Sequence, residues 1–542
     1  MNIDQLIKAN HSRNYFSFYN ENPKSYDENQ MNLGLETFQK QLNNNFYISN
    51  LSAVEFEGEE VSPYMMTGLG IHYPKINVST LLENASSTLE SWKNVSIDIK
   101  LSILQNSLEC VKERFFELAF ATMHTTGQSF LMSFQASGPH ACDRALEVLA
   151  SAYEQLNYYP KNVEWVKNFG KFDLKLQKNY KSIPKGVSLI IGCSTFPTWN
   201  SVPGIYASLI TGNPVIVKPH PKAVYPIAIF VEEIRKELIK NGLSADIIQI
   251  GVDTTANPIT KLLAESDIVK LIDYTGGNEF GDYIESLGKI CFTEKAGINS
   301  VIIESCADFD KVAQNLAFSM SLYSGQMCTA PQNIYISKDG VKTDNGHLSY
   351  DDCIQKINDA FSQLLNNPKA ASPTLGAVQN ENTLNRVLNT LKNNNANVIQ
   401  FDANVINEEF PDARIVKPIL VELSSNQSGE FEKECFGPIS FIIKTSSLEE
   451  SLNLASNSAQ KYGAITCLAY SIDKEIMQLI EDKMNSVYTP VSFNFVGAAF
   501  VNQHAAFSDL HVSGGNPSGN ATFTTTEFIN KRYTWIGNRY ML

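Results

Sequence analysis

The chain has 542 residues, of which 43% are hydrophobic and 18% are charged, a composition typical of a folded protein rather than a disordered one. Its net charge of −14 argues against nucleic acid or an anionic membrane surface as the main partner, because both need concentrated lysine and arginine. The start has no continuous apolar run, no stretch approaches the length of a membrane span, and the nine cysteines include no C-x-x-C pair. We therefore expect a cytoplasmic protein with no signal peptide, membrane segment, disulfide framework or metal site.

The first half of the chain changes its pattern twice. Residues 1–84 are polar and rich in asparagine, so we interpret them as an irregular extension packed on the body. From residue 81 to about 158, apolar residues recur three and four apart, which predicts a layer of helices. From 185 to 305, short apolar runs alternate with helical patterns; the runs are 186–192, 214–218, 246–251 and 268–274, and the helical patterns are 205–210, 223–240 and 258–265. Buried strands joined by helices predict a doubly wound parallel sheet, and dinucleotides bind at the carboxyl ends of such strands.

A second alternation runs from residue 300 to about 491. It begins with a predicted strand at 300–305, a helix at 308–324 and a strand at 332–337, which indicates a second α/β unit. The tail, residues 522–538, is rich in threonine and aromatic residues. We predict an aromatic strand there that is suited to an oligomer contact.

The loop 324–331, with the sequence Ser-Gly-Gln-Met-Cys-Thr-Ala-Pro, leads from a predicted helix into a strand. Cys328 in this loop can present a thiolate beside free backbone N–H groups, which we expect to lower its pKa and later to hold an oxyanion. A single cysteine is by default a small buried apolar residue. However, Glu294 ends a short apolar strand upstream, and a carboxylate there can activate water to hydrolyse a thioester. The pair predicts a nucleophile and a general base.

Several further positions suit a cofactor. Lys218 ends a buried strand, where a cation can reach cofactor hydroxyls or phosphate. Three residues follow the strand 268–274 and open a helix, which lets backbone amides approach phosphate or nicotinamide: Thr275, Gly276 and Gly277. Near residue 435, Glu434 offers a carboxylate for a ribose and Phe436 an aromatic ring for the nicotinamide. Each feature alone has an ordinary structural explanation, such as a lysine with its head in solvent or a turn with a core phenylalanine.

Taken together, these segments resemble the aldehyde dehydrogenase superfamily over roughly residues 85–540, in the family's order and spacing. The resemblance rests on five features: TGNPVIVKP at 211–219, the Thr-Gly pair at 275–276, Glu294, GQMC at 325–328 and ECFGP at 434–438. It implies that Cys328 is the nucleophile, Glu294 the general base, Lys218 and Glu434 the cofactor-ribose contacts, and Gly276 the nicotinamide-side turn. It also implies NAD or NADP as the cofactor and a small-molecule aldehyde as the substrate.

The resemblance implies an α/β fold with two doubly wound parallel-sheet domains and a small β flap for oligomerisation. We expect an N-terminal extension at 1–84, an NAD(P)-binding domain at 85–296 with 165–184 part of the flap, a catalytic domain at 297–500, and a return segment with an oligomerisation strand at 501–542. The flap of the family builds dimers or tetramers, so we expect a homodimer or homotetramer.

Within the superfamily the chain is similar to the stand-alone PaaN type of phenylacetic acid degradation. The segments that carry this finer similarity are GEEVSPY at 58–64, LGIHYP at 69–74, CSTFPTWN at 193–200 and VKPHP at 217–221. It implies a CoA-linked semialdehyde, formed when the oxidised ring of phenylacetyl-CoA is opened, as the substrate.

Two positions depart from the family. Most relatives have an asparagine before the Phe-Pro pair that donates to the oxyanion, where this chain has Thr195; Asn200, in a Trp-Asn pair shortly after, is the alternative donor. NAD-preferring relatives carry a glutamate three residues beyond the lysine, where this chain has Pro221. Without that acid a 2′-phosphate is not repelled, and His220 or Lys222 can attract it, so the sequence favours NADP.

Two other functions stay open. In a CoA-acylating aldehyde dehydrogenase, CoA rather than water takes the thioester; such relatives usually lack the base, so Glu294 favours hydrolysis. A non-catalytic subunit that keeps the fold is the other alternative, which Thr195 supports and Cys328 with Glu294 opposes.

Overall fold

The computed structural model describes residues 1–392, 397–399, 401–403, 405–501 and 505–542. A five-stranded sheet lies in the first half of the chain, with every neighbouring pair of strands parallel. Its strands, in spatial order, are Ile248–Ile250, Val215–Lys218, Val187–Ile191, Val269–Gly276 and Ile290–Lys295. The connecting helices are Pro197–Ile210, Tyr225–Lys240, Thr260–Glu265 and Asn278–Ser286. The central strands are buried on both faces because helices cover them, and the predicted doubly wound sheet is confirmed.

The second α/β unit is a seven-stranded sheet that is parallel except for its first strand. Its strands, in spatial order, are Asn397–Ile399, Ile419–Ser424, Ile439–Thr445, Pro331–Ser337, Asn299–Ile303, Cys467–Tyr470 and Val491–Phe493. Its helices are Phe309–Ser321, Tyr350–Leu365, Pro368–Thr374, Glu381–Lys392, Ser428–Phe431, Leu448–Tyr462 and Lys474–Asn485. A small sheet beside it comprises Ser305–Cys306, Val341–Thr343 and Gly346–Leu348.

The predicted helical layer is confirmed, with helices at Val78–Lys93, Ile97–Lys112, Phe115–Thr126, Phe130–Gln135 and Ala141–Leu156. The prediction of an irregular N-terminal extension is wrong in part. It contains the helices Ile3–Ser12 and Glu28–Gln41, besides the two-residue strands Phe56–Glu57 and Tyr73–Pro74. Both helices are polar overall and bury only two or three residues each, so the composition of the segment did not indicate them. The sequence signal that could have predicted these helices is their N-cap residues, Asn2 and Asp27, whose side chains accept hydrogen bonds from first-turn N–H groups.

The tail begins as a helix, Thr526–Asn530, rather than as the strand that we predicted for the whole of 522–538. The strand Tyr533–Met541 follows and pairs antiparallel with Asp173–Pro184, which also pairs with Asn162–Asn168. Arg532, between the tail's helix and strand, is fully buried and forms two contacts of 2.8 and 2.5 Å with the Asp273 carboxylate in the first sheet. This ion pair ties the tail to the first sheet. None of the helices in the described residues is long and apolar enough to cross a membrane.

Candidate active site

Three of the predicted site residues lie along one edge of the first sheet, where the carboxyl ends of its strands meet: Lys218, Gly276 and Glu294. Because the strands are parallel, residues far apart in sequence reach the same edge. Gly276 leaves no room for a side chain, since a Cβ atom there would stand 2.4 Å from the Tyr274 hydroxyl oxygen. Gly277 precedes the next helix and has open space beside it. The two glycines therefore form a backbone surface that a flat ring can approach closely.

Cys328 lies in the loop between the helix Phe309–Ser321 and the strand Pro331–Ser337. Three residues just before it have left-handed backbone, with φ of 51°, 51° and 65°: Tyr323, Ser324 and Gly325. The side-chain amide of Asn299 donates a hydrogen bond of 2.7 Å to the Cys328 carbonyl oxygen. The loop is thus held from a neighbouring strand, which fixes the direction of the thiol.

The thiol of Cys328 and the carboxylate of Glu294 meet where the two α/β units face each other. The sulfur is 3.7 Å from Glu294 Oε1. Two further groups hold the same carboxylate: His511 Nε2 lies 2.9 Å from Oε1, and Asn200 Nδ2 donates to Oε2 at 3.1 Å. Glu294 and His511 are only 5% and 2% exposed. The structure therefore brings the predicted nucleophile and base together, and it holds the base by both of its oxygens.

Sequence reasoning missed His511. It follows Glu294 by 217 residues, in a segment with no recognisable motif, so no sequence signal pointed to it. Its ring packs edge-on to Trp199, with ring centres 4.5 Å apart, and stacks on Phe523. The ligand atoms of Cys328, Glu294 and His511 all lie within 4.8 Å of one another, so these residues could also share a divalent metal ion, which the sequence did not predict.

The electrostatic environment keeps the Cys328 thiol protonated in this arrangement. Burial raises the pKa of Cys328 well above its usual range, and the negative charge of Glu294 raises it further. The backbone N–H of Cys328 acts in the opposite direction but is the smaller influence on this pKa. The prediction that the loop lowers the thiol pKa is therefore wrong for this state. The thiolate forms when Glu294 accepts the thiol proton.

Two cavities meet at Cys328. The first is lined mainly by apolar and aromatic side chains, among them Met132, Phe196, Trp199, Leu322, Met327 and Phe500. The second contains the predicted nicotinamide-side residues Thr275, Gly276, Gly277, Glu434 and Phe436 together with Glu294. Cys328 and Asn200 line both cavities. The arrangement gives one thiol access to an apolar substrate from one side and to a planar cofactor from the other.

Both candidate oxyanion donors lie near Cys328 but in different places. Asn200 is in the helix Pro197–Ile210 and lines both cavities. Thr195 precedes that helix, lines only the cofactor-side cavity, and its carbonyl oxygen accepts a 2.7 Å hydrogen bond from Gln128. The structure thus brings the Asn200 amide to Glu294 and leaves Thr195 on the cofactor side.

The turn at residues 434–438 faces the cofactor-side cavity. Burial raises the pKa of Glu434 to about 7, and the nearby Arg386 guanidinium counteracts the rise. Arg386, which also lines this cavity, donates a hydrogen bond to the Phe436 carbonyl oxygen. It lies on the mostly polar helix Glu381–Lys392, where the sequence gave no reason to single it out. The turn is consequently held by a cation from the neighbouring helix.

Lys218 and His220 do not line the cavity that contains Cys328. The Lys218 ammonium is buried and forms a 2.6 Å ion pair with Asp253. His220 is a correction to the sequence prediction, because burial lowers its pKa to about 4, aided by the charges of Lys218 and Lys222. The imidazole is therefore neutral at pH 7 and attracts a phosphate much less than an imidazolium would.

Comparison with known proteins yields consistent matches. A sequence model described as the aldehyde dehydrogenase family matches residues 72–514. A crystal structure of an NAD-dependent aldehyde dehydrogenase from Burkholderia multivorans is 37% identical, covers 100% of this chain and 97% of its own, and has a TM-score of 0.96. The 1-pyrroline-5-carboxylate dehydrogenase of Bacillus subtilis is 22% identical over 74% of this chain and 75% of its own length. Glyceraldehyde-3-phosphate dehydrogenase GapN from Methanocaldococcus jannaschii, solved with NADP, shares the fold at 17% identity and a TM-score of 0.71, over 90% of this chain and 100% of its own.

Proposed function

Because the chain belongs to the aldehyde dehydrogenase family, we propose that Cys328 is the nucleophile with which it oxidises its aldehyde to a carboxylic acid, with NAD or NADP accepting the hydride. The observation that carries this proposal is the position of the thiol, at the junction of the two cavities and 3.7 Å from Glu294. The apolar cavity suits an aldehyde. The glycine surface and the buried Glu434 carboxyl suit a nicotinamide and its ribose.

In the first half of the proposed reaction, the Cys328 thiol transfers its proton to Glu294, and the resulting thiolate attacks the carbonyl carbon. The oxyanion accepts hydrogen bonds from the Cys328 backbone N–H and from one side chain. A nicotinamide held by Gly276, Gly277 and Glu434 would supply the hydride acceptor, and loss of a hydride from the carbonyl carbon would leave a thioester on Cys328.

In the second half, Glu294 releases the thiol proton and then takes a proton from a water molecule that attacks the thioester. The carboxylic acid leaves and Cys328 recovers its proton. His511 and Asn200 hold the two oxygens of Glu294 during these transfers. We therefore assign both as positioning residues for the base.

For the oxyanion we propose Asn200 rather than Thr195. Asn200 lines both cavities beside Cys328, and its side-chain nitrogen has two N–H groups, so one can hold Glu294 while the other donates to the oxyanion. Thr195 lines only the cofactor side. Removing a single oxyanion donor typically lowers kcat by roughly a hundredfold or more. Asn200→Ala is therefore expected to be far slower than Thr195→Ala.

For the cofactor we propose a preference for NAD, which reverses the NADP preference suggested by Pro221. The Asp253 carboxylate stands 2.6 Å from the Lys218 ammonium, so the neighbouring strand end supplies an acid that position 221 lacks. A carboxylate beside the ribose repels a 2′-phosphate. The neutral His220 offers no compensating charge, and the relative with 37% identity is NAD-dependent.

The substrate is proposed from the finer resemblance alone, as the ring-opened, CoA-linked semialdehyde of phenylacetate degradation. One of the segments that carry this resemblance serves another purpose in the fold. Glu60, from the first segment, accepts hydrogen bonds from the N–H groups of Val224 and Tyr225 and so caps a helix of the first sheet. Trp199 and Asn200, from the segment CSTFPTWN at 193–200, line the substrate-side cavity. The substrate assignment therefore depends on that segment.

The proposal is tested by screening aldehydes, including CoA-linked semialdehydes, with both NAD and NADP while reduced cofactor is followed. Cys328→Ala is expected to abolish reduced-cofactor formation. Cys110→Ala, which removes a half-buried cysteine on a helix away from the site, should leave it intact. Full activity in Cys328→Ala refutes the mechanism. Consumption of CoA with accumulation of acyl-CoA would identify the acylating alternative, and cofactor binding without oxidation of any aldehyde would favour a non-catalytic subunit.

We also propose that the three-stranded antiparallel sheet forms the contact of a homodimer or homotetramer. Its outer strand exposes large apolar residues, among them Ile536, Tyr540 and Met541. This strand lies at the edge of its sheet, where unpaired backbone groups favour pairing with another chain. Light scattering of Ile536→Lys against the unmodified chain measures whether the assembly depends on this strand.

A further inference from the structure

A third cavity, separate from the cofactor-side cavity, adjoins the substrate-side cavity and shares His140 and Trp199 with it. The N-terminal extension forms part of its wall through Tyr15, Phe16, Ser17 and Glu21. The helix Ala141–Leu156 contributes Asp143 and Arg144. The two cavities thus share a wall that includes His140 and Trp199, and a molecule whose aldehyde lies at Cys328 reaches the polar compartment when that wall opens.

Arg144 is the unusual residue of this compartment, because it is a buried cation with unused donors. Its side chain is 1% exposed, and Nη1 donates to Glu147 Oε2 at 2.6 Å. Nε and Nη2 find no hydrogen-bond acceptor in the part of the chain that the structure describes. The guanidinium carbon lies 5.5 Å from the centre of the Trp199 ring, so this cation borders the wall that the two cavities share.

The two unused donors lie on one edge of the guanidinium. The N–H groups of Nε and Nη2 point in the same direction, and this fork matches the two oxygens of a carboxylate or a phosphate. A buried donor without a partner is unfavourable, so such a fork is expected to bind an acceptor. Both nitrogens are shielded from solvent, so a neighbouring side chain must shift to admit the anion.

The acidic groups around Arg144 have hydrogen-bond partners of their own. Glu147 has two partners besides Arg144. Its Oε1 lies 3.3 Å from Arg13 Nη1 and accepts a 2.9 Å hydrogen bond from the Phe507 N–H. The Asp143 carboxyl accepts hydrogen bonds from the N-terminal segment, at Ser17, Phe18 and Tyr19. Glu21 pairs with His140 at 2.7 Å. The acidic groups of the compartment therefore have partners other than the fork of Arg144.

From this geometry we propose that Arg144 is an anion subsite that binds the far end of the substrate, so that the preferred substrate is an aldehyde with an anionic group at its other end. The inference rests on the proposed aldehyde oxidation. The shared chemistry is a bidentate oxyanion, which a terminal carboxylate of an ω-oxo acid or a phosphate of a CoA-linked semialdehyde both supply.

The test compares ω-oxo acids with unsubstituted n-alkanals of equal chain length and with CoA-linked semialdehydes. In the unmodified enzyme one anionic series should have the higher kcat/KM, and which series does so identifies the source of the anion. Arg144→Gln should lower kcat/KM for that series by about a hundredfold, or roughly 2.7 kcal/mol, mainly through KM. The n-alkanals should change by less than about threefold. Arg144→Lys keeps the charge without the fork, so its kcat/KM for the anionic series should lie between those of the unmodified enzyme and Arg144→Gln.

Arg13→Gln is the matched control, because it also removes a partner of Glu147 but lies outside the compartment's lining. It should leave the selectivity unchanged. Equal losses on anionic and neutral aldehydes in Arg144→Gln, or no preference for anionic aldehydes in the unmodified enzyme, overturn the proposal.

A binding measurement separates this proposal from the proposed function and does not depend on the folding of a variant. Calorimetric titration of the unmodified protein with dicarboxylates, against monocarboxylates of equal length, should detect tighter binding of the dicarboxylates. If no aldehyde is oxidised but the dicarboxylates bind tightly, the proposed function fails and the subsite stands. Equal binding of the two series refutes a carboxylate subsite, and equal binding of free CoA and its dephosphorylated pantetheine portion refutes the phosphate form.

Discussion

Replacing His511 by phenylalanine removes one of the two groups that hold the base and keeps an aromatic ring beside Trp199. In the structure, Glu294 Oε1 lies 2.9 Å from His511 Nε2, and Oε2 accepts from Asn200 at 3.1 Å. A hydrogen bond to a charged group contributes roughly 1.5–3 kcal/mol, which corresponds to about ten- to 150-fold in rate if all of it acts on one step. The affected step is thioester hydrolysis, because it needs Glu294 oriented towards water.

The assay is rapid mixing of the enzyme with cofactor and aldehyde. His511→Phe should give a burst of reduced cofactor close to one per site, followed by a steady phase that is about ten- to 150-fold slower than in the unmodified enzyme. Hydroxylamine, which attacks thioesters without a general base, should restore the slow phase. His511→Gln keeps a donor but not the ring, and it should retain most of the activity.

A purely structural role for His511 predicts a different pattern. Loss of packing would impair His511→Gln at least as much as His511→Phe, and it would reduce the burst and the steady phase together. Either result refutes the positioning role, as does a steady-state rate in His511→Phe equal to that of the unmodified enzyme.

The remaining predictions concern the cofactor and the stability of the fold. Burial raises the pKa of Glu434 to about 7, so the carboxyl is protonated below that pH and ionised above it. The carboxylate is the better acceptor for ribose hydroxyls, so NAD binding should tighten between about pH 6 and 8, as measured by fluorescence titration. Glu434→Gln should remove this dependence, and an unchanged pH profile in the variant would contradict the ribose role. Asp253→Asn should shift the ratio of kcat/KM for NAD over NADP towards NADP by roughly tenfold, or about 1.4 kcal/mol, and a ratio that moves towards NAD would argue against Asp253 as the selecting acid. Asp273→Asn leaves the buried Arg532 without its anion, so denaturant unfolding should show a loss of about 3–5 kcal/mol; a loss under about 1 kcal/mol would mean that the pair does not tie the tail to the sheet.

The sequence alone identified much of this molecule because its strongest signals are local. Strands buried on both faces are short apolar runs, and the helices between them have a regular apolar period, so the alternation of the first sheet and the first three elements of the second unit could be predicted. Cys328 and Glu294 could be singled out as candidates because Cys328 lies in a short loop after a helix, Glu294 ends a strand, and the two stand at the family's spacing. The reasoning was wrong for the N-terminal extension because its two helices are polar overall and bury only two or three residues each.

The contacts within the site were decided only by the tertiary structure. His511 reaches Glu294 across 217 residues, and the unused donors of Arg144 depend on which neighbours fail to reach them. Likewise, the state of the Cys328 thiol and the neutrality of His220 follow from burial and nearby charges, which raise or lower a pKa only once the chain is folded. The composition of a segment does not contain this information, because it belongs to pairs of groups that are distant along the chain and adjacent in space.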